Sequence, residues 1–193
     1  MTLAPEGSPG ARPVLVTALE MTDHGDLRPS REPAQPARMV RSIPADPELS
    51  RRCYADVGGK WQWVDRLGWT AEQWRNWVAR PGHELWTCQV GSAGEGSDLA
   101  GYFELDPEEG GSVQVSYFGL LPGHEGRGLG GWMLTCALRR AWQLPATRRV
   151  WLHTCELDGP AALPNYLARG LRAFGAWTEH RLVPDEAARP AGT

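Results

Sequence analysis

Residues 119–134, which read GLLPGHEGRGLGGWML, decide how this chain is organised. An apolar run rich in β-branched and aromatic residues, 113–121, leads into them and is typical of a strand. After the glycines, apolar residues return with helical spacing from Leu129 onward. A strand, a glycine turn and a helix start can gather backbone N–H groups around a phosphate. The stretch therefore predicts an anion-binding turn between a strand and a helix.

The glycine turn is also compatible with two other interpretations. A tight connection without a ligand is common wherever glycines join a strand to a helix. Gly126, Gly128 and Gly131 also fit the spacing of a dinucleotide fingerprint. That fingerprint normally follows the first strand of a βαβ unit, with an acidic residue after the next strand. Here it follows several predicted strands and helices, so a dinucleotide site is disfavoured.

The composition is that of an ordinary globular domain. The 193 residues are 41% hydrophobic and 22% charged, with a net charge of −3, which disfavours general nucleic-acid binding. No apolar run reaches the roughly 20 residues of a membrane span, and the first residues do not resemble a secretory signal. We expect a cytoplasmic protein. Its four scattered cysteines are expected to be free thiols, and no ligand spacing predicts a metal site.

Periodicity and turn residues divide the chain into elements. Strands are predicted over residues 14–21, 84–90, 99–105, 113–121 and 149–155 and within 171–183, with 39–43 as a further candidate. Helices are predicted over 47–57, 71–79, 129–143 and 160–168, the second with a capping box at Thr70 and Gln73. The order is β–α–α–β–β–β–α–β–α–β. We expect a disordered tail over 1–12, one domain over 13–183 and a second tail over 184–193.

Two motifs in this order resemble the GNAT superfamily of N-acetyltransferases over about residues 39–183. The first is a hydrophobic strand end, a proline and a glycine turn: Leu120-Leu121-Pro122, then Glu125-Gly126-Arg127-Gly128-Leu129-Gly130. The second lies on the predicted helix after the next strand: Asp158, Ala161-Ala162, Tyr166 and Gly170-Leu171. The resemblance implies an α+β fold with a central mixed, mainly antiparallel twisted sheet flanked by helices.

The resemblance also implies a donor site for acetyl-CoA, without a metal. The strand ending at Leu120 and Leu121 would pair with the pantetheine arm, and one of these N–H groups would polarise the thioester carbonyl. The turn would bind the pyrophosphate. The implied donor contacts are Leu120, Leu121, Glu125, Gly126, Arg127, Gly128, Leu129, Gly130, Gly131 and Asp158.

The chain departs from the family pattern at four positions. Glu125 replaces an arginine or glutamine at the start of the turn, and we expect its carboxylate to point away from the phosphates. Asp158 replaces an asparagine, and Leu171 replaces a phenylalanine. Gln114 stands where the histone-acetylating branch carries its glutamate base. An amide does not accept a proton, so the base must be another residue.

Tyr166 occupies the position of the family's general acid, the alternative being a core aromatic at a helix end. Glu104, on the strand beside Gln114, is the first candidate for the base, directly or through water. It could equally face solvent or pair with an arginine. His153 is the second candidate, although a histidine in a strand is more often structural. Tyr117 could supply a pocket hydroxyl. We assign Cys155 to the core.

The acceptor end is expected at the tryptophan-rich loop between the first two helices. Trp61, Trp63 and Asp65 alternate, so an extended segment would place them on one face. Two indoles and a carboxylate suit a cationic amine, and Arg66 could bind a substrate carboxylate. Alternatively, the tryptophans cover the end of the core and Asp65 and Arg66 cap a turn.

The sequence therefore predicts an acetyl-CoA-dependent N-acetyltransferase that acts on a primary amine of a small molecule. An amino acid, a polyamine or an amino-bearing metabolite would fit, with no nucleic-acid or membrane partner. The amine would attack the thioester directly. A protein lysine or N-terminal acetyltransferase and a non-catalytic acyl-CoA-binding module are the alternatives. A homodimer is left open.

Overall fold

A computed structural model describes residues 8–91 and 97–182 of the chain. The strands are β1 (Ala11–Met21), β2 (Ala37–Arg41), β3 (Glu84–Val90), β4 (Asp98–Pro107), β5 (Ser112–Leu120), β6 (Arg149–Cys155) and β7 (Arg172–Leu182). The helices are α1 (Pro47–Gly58), α2 (Ala71–Val78), α3 (Leu129–Trp142) and α4 (Ala162–Ala168). Short 3₁₀ turns lie at His24–Asp26, Gly59–Trp61 and Glu109–Gly111.

The strands form one sheet in the order β2-β3-β4-β5-β6-β1-β7. Only β5 and β6 run parallel; the other neighbours are antiparallel. Adjacent residues of β4 point to opposite faces, so Phe103 packs with α3 in the main core and Tyr102 packs with α1 in a second cluster. The predicted fold class is confirmed, with β2 as one strand more than the predicted order.

The local signals for the helices and strands are mostly confirmed. The predicted bounds of β3 and β6 agree with the structure, and the capping box of Thr70 and Gln73 is formed at the start of α2. The first strand begins at Ala11, so Ala11 and Arg12 belong to the sheet and not to the expected tail. Three expected segments lie wholly or mostly outside the described residues: the start of the N-terminal tail, a hairpin turn and the C-terminal tail. The residues concerned are 1–7, 92–96 and 183–193.

The middle of the sheet opens between β5 and β6. The two strands pair from Ser112 with Arg149 as far as Gln114 with Trp151, and no pair follows, although β5 continues to Leu120. On its other side β5 stays paired with β4, where the register shifts at Ser116 as in a β-bulge. A bulge bends a strand, which accounts for the separation starting here.

Candidate active site

The free edge of β5 presents backbone groups to this gap. The N–H of Leu121 donates to the carbonyl of Ala100 on β4 at 2.9 Å. Successive N–H groups of a strand alternate in direction, so those of Phe118 and Leu120 point away from β4, toward the gap. Of the two N–H groups expected to contact the acyl donor, only that of Leu120 is available. The N–H of Leu121 already donates to Ala100, and the Leu121 side chain packs in the second cluster.

The glycine turn forms an open cradle at the end of the gap. Gly123, Gly126 and Gly128 have φ values of 84°, 74° and 77°, a backbone conformation that side chains disfavour. A Cβ at any of these three glycines would meet nothing within 4 Å. Gly128 is the N-cap residue of α3 and no side chain caps this helix, so its first N–H groups remain available. Backbone N–H groups at an open turn and a helix start can bind a phosphate group.

The first turn of α3 is packed tightly against its neighbours. A Cβ on Gly131 would lie 2.5 Å from Nη1 of Arg169 and 2.8 Å from Oγ of Ser30, so only glycine fits without rearrangement. The amide of Asn165 on α4 donates to the carbonyl of Gly130 at 3.3 Å. These contacts hold the start of α3 next to the helix that carries Tyr166.

Glu125 folds back onto the turn. One carboxylate oxygen accepts from the N–H of Gly123 at 2.9 Å, and the other lies 3.4 Å from the ammonium of Lys60. Hydrogen bonds from its own backbone N–H and from Lys60 lower the pKa of Glu125. Arg127 is exposed and does not contribute to the cavity described below.

Asp158 is also committed to local contacts. Its Oδ2 accepts from the hydroxyl of Thr154 at 2.5 Å and from the N–H of Cys155 at 3.0 Å, while the indole of Trp63 reaches Oδ1 at 3.4 Å. The residue lines the cavity, but its carboxylate closes the end of β6 and anchors the tryptophan loop.

A continuous cavity of about 600 Å³ runs from the glycine turn through the gap to the tryptophan loop. The turn end is lined by Gly126, Gly130, Gly131, Asn165 and Tyr166. The cavity is also lined by Trp61, Trp63, Asp65, Arg66, Trp77, Gln114, Ser116, Tyr117, His153, Glu179 and Arg181. One cavity thus joins the expected acceptor residues to most of the expected donor residues, but Leu121, Arg127, Gly128 and the buried Leu129 do not line it.

Tyr166 projects from α4 into this cavity. The residue is 6% exposed, and its ring meets Phe118 edge-on with centroids 6.1 Å apart. Burial, with the nearby Asp158, raises the pKa of Tyr166 well above its usual value. The hydroxyl therefore stays protonated at neutral pH, which is the state that a general acid requires.

Glu104 does not reach the cavity, which corrects the expectation that it meets the acceptor amine. It is 0% exposed and lies between β4 and the two helices α1 and α2. Ser50 donates to one carboxylate oxygen at 2.5 Å, and Trp77 (2.5 Å) and His83 (3.1 Å) contact the other. A carboxylate with both oxygens engaged beneath the cavity wall has no direct route to a substrate proton.

His153 does reach the cavity. The residue is accessible from the cavity and lies between Trp151 and Trp177, with ring centroids 6.2 and 6.3 Å away. The surrounding protein desolvates the imidazole and lowers its pKa, against the opposing effects of Asp158 and Glu179. At neutral pH the ring is uncharged and able to accept a proton.

The tryptophan loop is turned rather than extended, so the period-two interpretation of it was wrong. Gly59–Trp61 is a 3₁₀ turn, and Gln62 has a left-handed φ of 61°. Trp61, Trp63 and Asp65 nevertheless all line the cavity. Trp61 lies against Gly159, where a Cβ would approach its ring to 3.0 Å, so the loop bridges to the segment between β6 and α4.

An aromatic cluster surrounds Tyr117 at this end. Its ring lies 5.2 Å from that of Tyr54, 5.4 Å from that of Trp63 and 5.6 Å from that of Trp77. Burial raises the pKa of Tyr117 well above its usual value, so it is a neutral hydroxyl in the wall. The hydroxyl of Tyr54 donates to Asp65 at 2.6 Å.

Several cavity residues carry no motif in the sequence. Trp77 comes from α2, Asn165 from α4, and Glu179 and Arg181 from β7. Glu179 accepts hydrogen bonds from Arg181 and from the indole of Trp177 at 2.7 Å. Because β7 reaches the cavity only through the order of the sheet, no motif in the sequence points to Glu179 and Arg181.

Within residues 8–91 and 97–182, no three His, Cys, Asp or Glu side chains are placed to hold a metal ion. Of the four described helices, none is long and apolar enough to cross a membrane. The cysteines Cys53, Cys88, Cys136 and Cys155 are free thiols. Cys155 lines the cavity, and burial raises its pKa, which favours an unreactive thiol over a thiolate.

A sequence profile of the Acetyltransferase (GNAT) family matches residues 48–171. No curated protein matches the chain in sequence. Among solved structures, a GCN5-related N-acetyltransferase from Sphaerobacter thermophilus has a TM-score of 0.63 at 15% identity, over 89% of this chain and 52% of that one. A second, from Kribbella flavida, has a TM-score of 0.61 at 18% identity, over 89% and 59%.

A tandem GNAT protein from the clavulanic acid biosynthesis pathway has a TM-score of 0.60 at 16% identity, over 89% of this chain and 55% of that one. This chain thus spans between 52% and 59% of the length of these three structures. At such identities the likeness shows the fold, and the family profile covers well over half of the chain.

Proposed function

Because the chain belongs to the GNAT acetyltransferase family, whose members use acyl-CoA donors, we propose that it transfers an acetyl group from acetyl-CoA to a primary amine of a small molecule. The observation that carries the proposal is the single cavity that joins the glycine turn, the free edge of β5 and Tyr166 to the tryptophan loop. Residues 13–183 would act as one domain.

The donor would occupy the gap between β5 and β6. The N–H groups of Phe118 and Leu120 are free to pair with the pantetheine amides and to polarise the thioester carbonyl. The open turn from Gly126 and the uncapped start of α3 are suited to the pyrophosphate. Acetyl-CoA, once bound, supplies an activated acyl carbon and a thiolate leaving group.

Two proton transfers accompany the reaction. The amine nitrogen forms a bond to the acyl carbon while the bond from that carbon to sulfur breaks. In the proposed mechanism His153 takes the proton that the attacking amine loses, since the imidazole is neutral and lines the cavity. Tyr166 gives its proton to the departing sulfur. Glu104 is not assigned a proton-transfer step.

The acceptor end supports a small molecule over a polypeptide. Two contacts join the tryptophan loop to the segment after β6: Trp61 packs against Gly159, and the indole of Trp63 donates to Asp158. An extended peptide needs an open groove, which these contacts would interrupt.

A thiol-release screen tests the proposal directly. The full chain is incubated with acetyl-CoA and a library of amines, and products are identified by mass spectrometry. We expect release of CoA that depends on a small amine and yields its N-acetyl derivative. Acetylation of protein lysines or N-termini alone would overturn the small-molecule assignment. Binding of CoA with no transfer to any amine would favour a non-catalytic module. Absence of CoA binding would exclude both the acetyltransferase and the acyl-CoA-binding module.

A further inference from the structure

The aromatic cluster at the acceptor end already surrounds a cation of the chain. Cζ of Arg66 lies 4.2 Å from the ring centroid of Trp69, 3.6 Å from that of Trp77 and 4.9 Å from that of Tyr117. Trp69, Trp77 and Tyr117 therefore already contact a guanidinium, whereas Trp61 and Trp63 are not among the rings that pack on Arg66. A second cation placed against these rings would meet like charge.

The position of Arg66 is fixed from its backbone outward. Its N–H donates to the hydroxyl of Tyr54 at 3.3 Å, and that hydroxyl donates to Asp65. Stacking on Trp77 and Trp69 restrains the plane of the guanidinium, and the side chain is only 18% exposed. A restrained arginine loses little conformational entropy when its donors are bound by a ligand.

One donor of Arg66 lacks an acceptor. Nη1 is buried and has no hydrogen-bond partner among the described residues. Nε lies 3.8 Å from Oδ2 of Asp65, close enough for an ion pair but beyond a hydrogen bond. A buried donor without an acceptor is unfavourable, and an anion that reached the guanidinium from the cavity would supply one.

The other arginines near this end are engaged differently. Arg80 stacks on Trp77 with Cζ 3.4 Å from the ring centroid, so it must cover the face opposite Arg66, and it pairs with Asp106 at 2.6 Å. It does not line the cavity. Arg181 lines the cavity and is held by Glu179. Arg80 also has a buried donor, Nη2, without a partner among the described residues, so what sets Arg66 apart from it is that Arg66 lines the cavity.

We infer that the acceptor is an amine that also carries a carboxylate, and that Arg66 binds this carboxylate through the edge of its guanidinium. The inference rests on the proposed function, since it names the substrate class of the same site. With Trp69 and Trp77 packed on two adjacent sides of the guanidinium, the N–H groups that face the cavity are left for the ligand, and a carboxylate matches an arginine edge in geometry. Polyamines and other wholly cationic amines are poor acceptors on this account.

The test compares amines that differ only in the anionic group. Rates of N-acetylation are measured for a panel of amino acids, for their methyl esters and for the corresponding decarboxylated amines, with phosphoethanolamine as the phosphate-bearing arm. We expect kcat/KM to be at least about ten-fold higher for the preferred carboxylate than for its ester and its decarboxylated form. Equal or better rates with the uncharged or cationic partners would overturn the inference, and preference for phosphoethanolamine would reassign Arg66 to a phosphate.

Arg66→Lys and Arg80→Lys form a matched pair of variants. Both keep a cation on the same indole, but only Arg66 faces the cavity. Arg66→Lys should raise KM for the carboxylate amine about ten-fold or more and leave the decarboxylated amine nearly unchanged, because lysine lacks the bidentate edge. Arg80→Lys should change neither. Retention of the carboxylate preference in Arg66→Lys would overturn the role of Arg66.

Calorimetric titration with CoA, which needs no acceptor, separates this inference from the proposed function. If CoA binds and amines are acetylated without preference for a carboxylate, only the inference fails. If CoA does not bind, or no amine is acetylated, the proposed function fails and the inference fails with it.

Discussion

The indole of Trp77 donates a 2.5 Å hydrogen bond to Oε2 of Glu104. Trp77 lines the cavity, whereas Glu104 is enclosed beneath it and is also bonded by Ser50 and His83. The buried carboxylate therefore joins α1, α2 and the segment before β3 behind one wall of the acceptor end. Its contribution to the site is to position Trp77, on which Arg66 stacks.

Replacement of Glu104 by glutamine should act through this wall. The amide offers one acceptor oxygen to donors that now share two, so at least one buried donor loses its partner, at a cost of about 1–3 kcal/mol of stability. We expect a lower Tm and a raised KM for the acceptor, with the pH dependence of kcat/KM unchanged. Loss of the acidic limb of the pH profile would instead show that Glu104 is the base.

Glu84→Gln is the matched control. Glu84 is 2% exposed and accepts from the indole of Trp86 and from Arg140, but it does not line the cavity. It should lower Tm by a similar amount without the change in acceptor KM. A shift of KM in both variants would mean that the effect follows general loss of stability.

Tyr166→Phe should slow acetyl transfer about 100-fold while leaving CoA affinity nearly unchanged, because the ring is kept and only the proton donor is removed. Stopped-flow thiol release and calorimetry measure the two quantities. Tyr102→Phe is the control, since the hydroxyl of Tyr102 is buried, has no partner among the described residues and does not line the cavity. Equal turnover of Tyr166→Phe and the wild type would refute the acid assignment.

The pH dependence of kcat/KM should report the imidazole of His153. The neutral ring is the active form, and desolvation by the surrounding protein lowers its pKa from the ordinary 6.5, although the residue is accessible from the cavity. Activity should therefore persist at neutral pH and fall only as the pH drops through that lowered value. His153→Gln should lower kcat/KM by about 100-fold near pH 7 and flatten this acidic limb. An acidic limb that survives the substitution would assign the base to another residue.

The ion pair of Lys60 and Glu125 should modulate CoA affinity. Glu125 places a negative charge at the turn proposed to bind the phosphates, and Lys60, 3.4 Å away, is a cation that offsets it. Glu125→Gln should tighten CoA binding and Lys60→Met should weaken it, each by about two- to five-fold at low salt and less at high salt. The double variant should bind CoA nearly as the wild type does. Calorimetric Kd values that do not change, or that change with the opposite signs, would contradict this assignment.

The elements of the fold were largely accessible from the sequence because their signals are local. Strand β3 is followed by a glycine, α2 carries its own capping box, and the run before the glycine turn is rich in β-branched and aromatic residues. The opening between β5 and β6 has no local signal in the sequence, since no local pattern shows where parallel strands part. The bulge at Ser116 depends on the register of two strands that a hairpin turn joins.

The site was less accessible, because its residues depend on tertiary packing. Alternation along β4 indicates which face Glu104 lies on, but not that Ser50, Trp77 and His83 enclose it. The left-handed φ of Gln62 breaks the alternation on which the tryptophan-loop interpretation relied. The cation between Trp69 and Trp77 is equally invisible in the sequence, since Arg66 could have turned to solvent.

Residue-resolved amide hydrogen exchange can show whether a CoA thioester lies along the free edge of β5. Exchange is compared with and without saturating CoA. We predict that the N–H groups of Phe118 and Leu120 become protected, together with those at the start of α3, while that of Leu121 is already protected by its bond to Ala100. If calorimetry shows that CoA is bound but exchange at Phe118 and Leu120 is not slowed, CoA does not lie along β5.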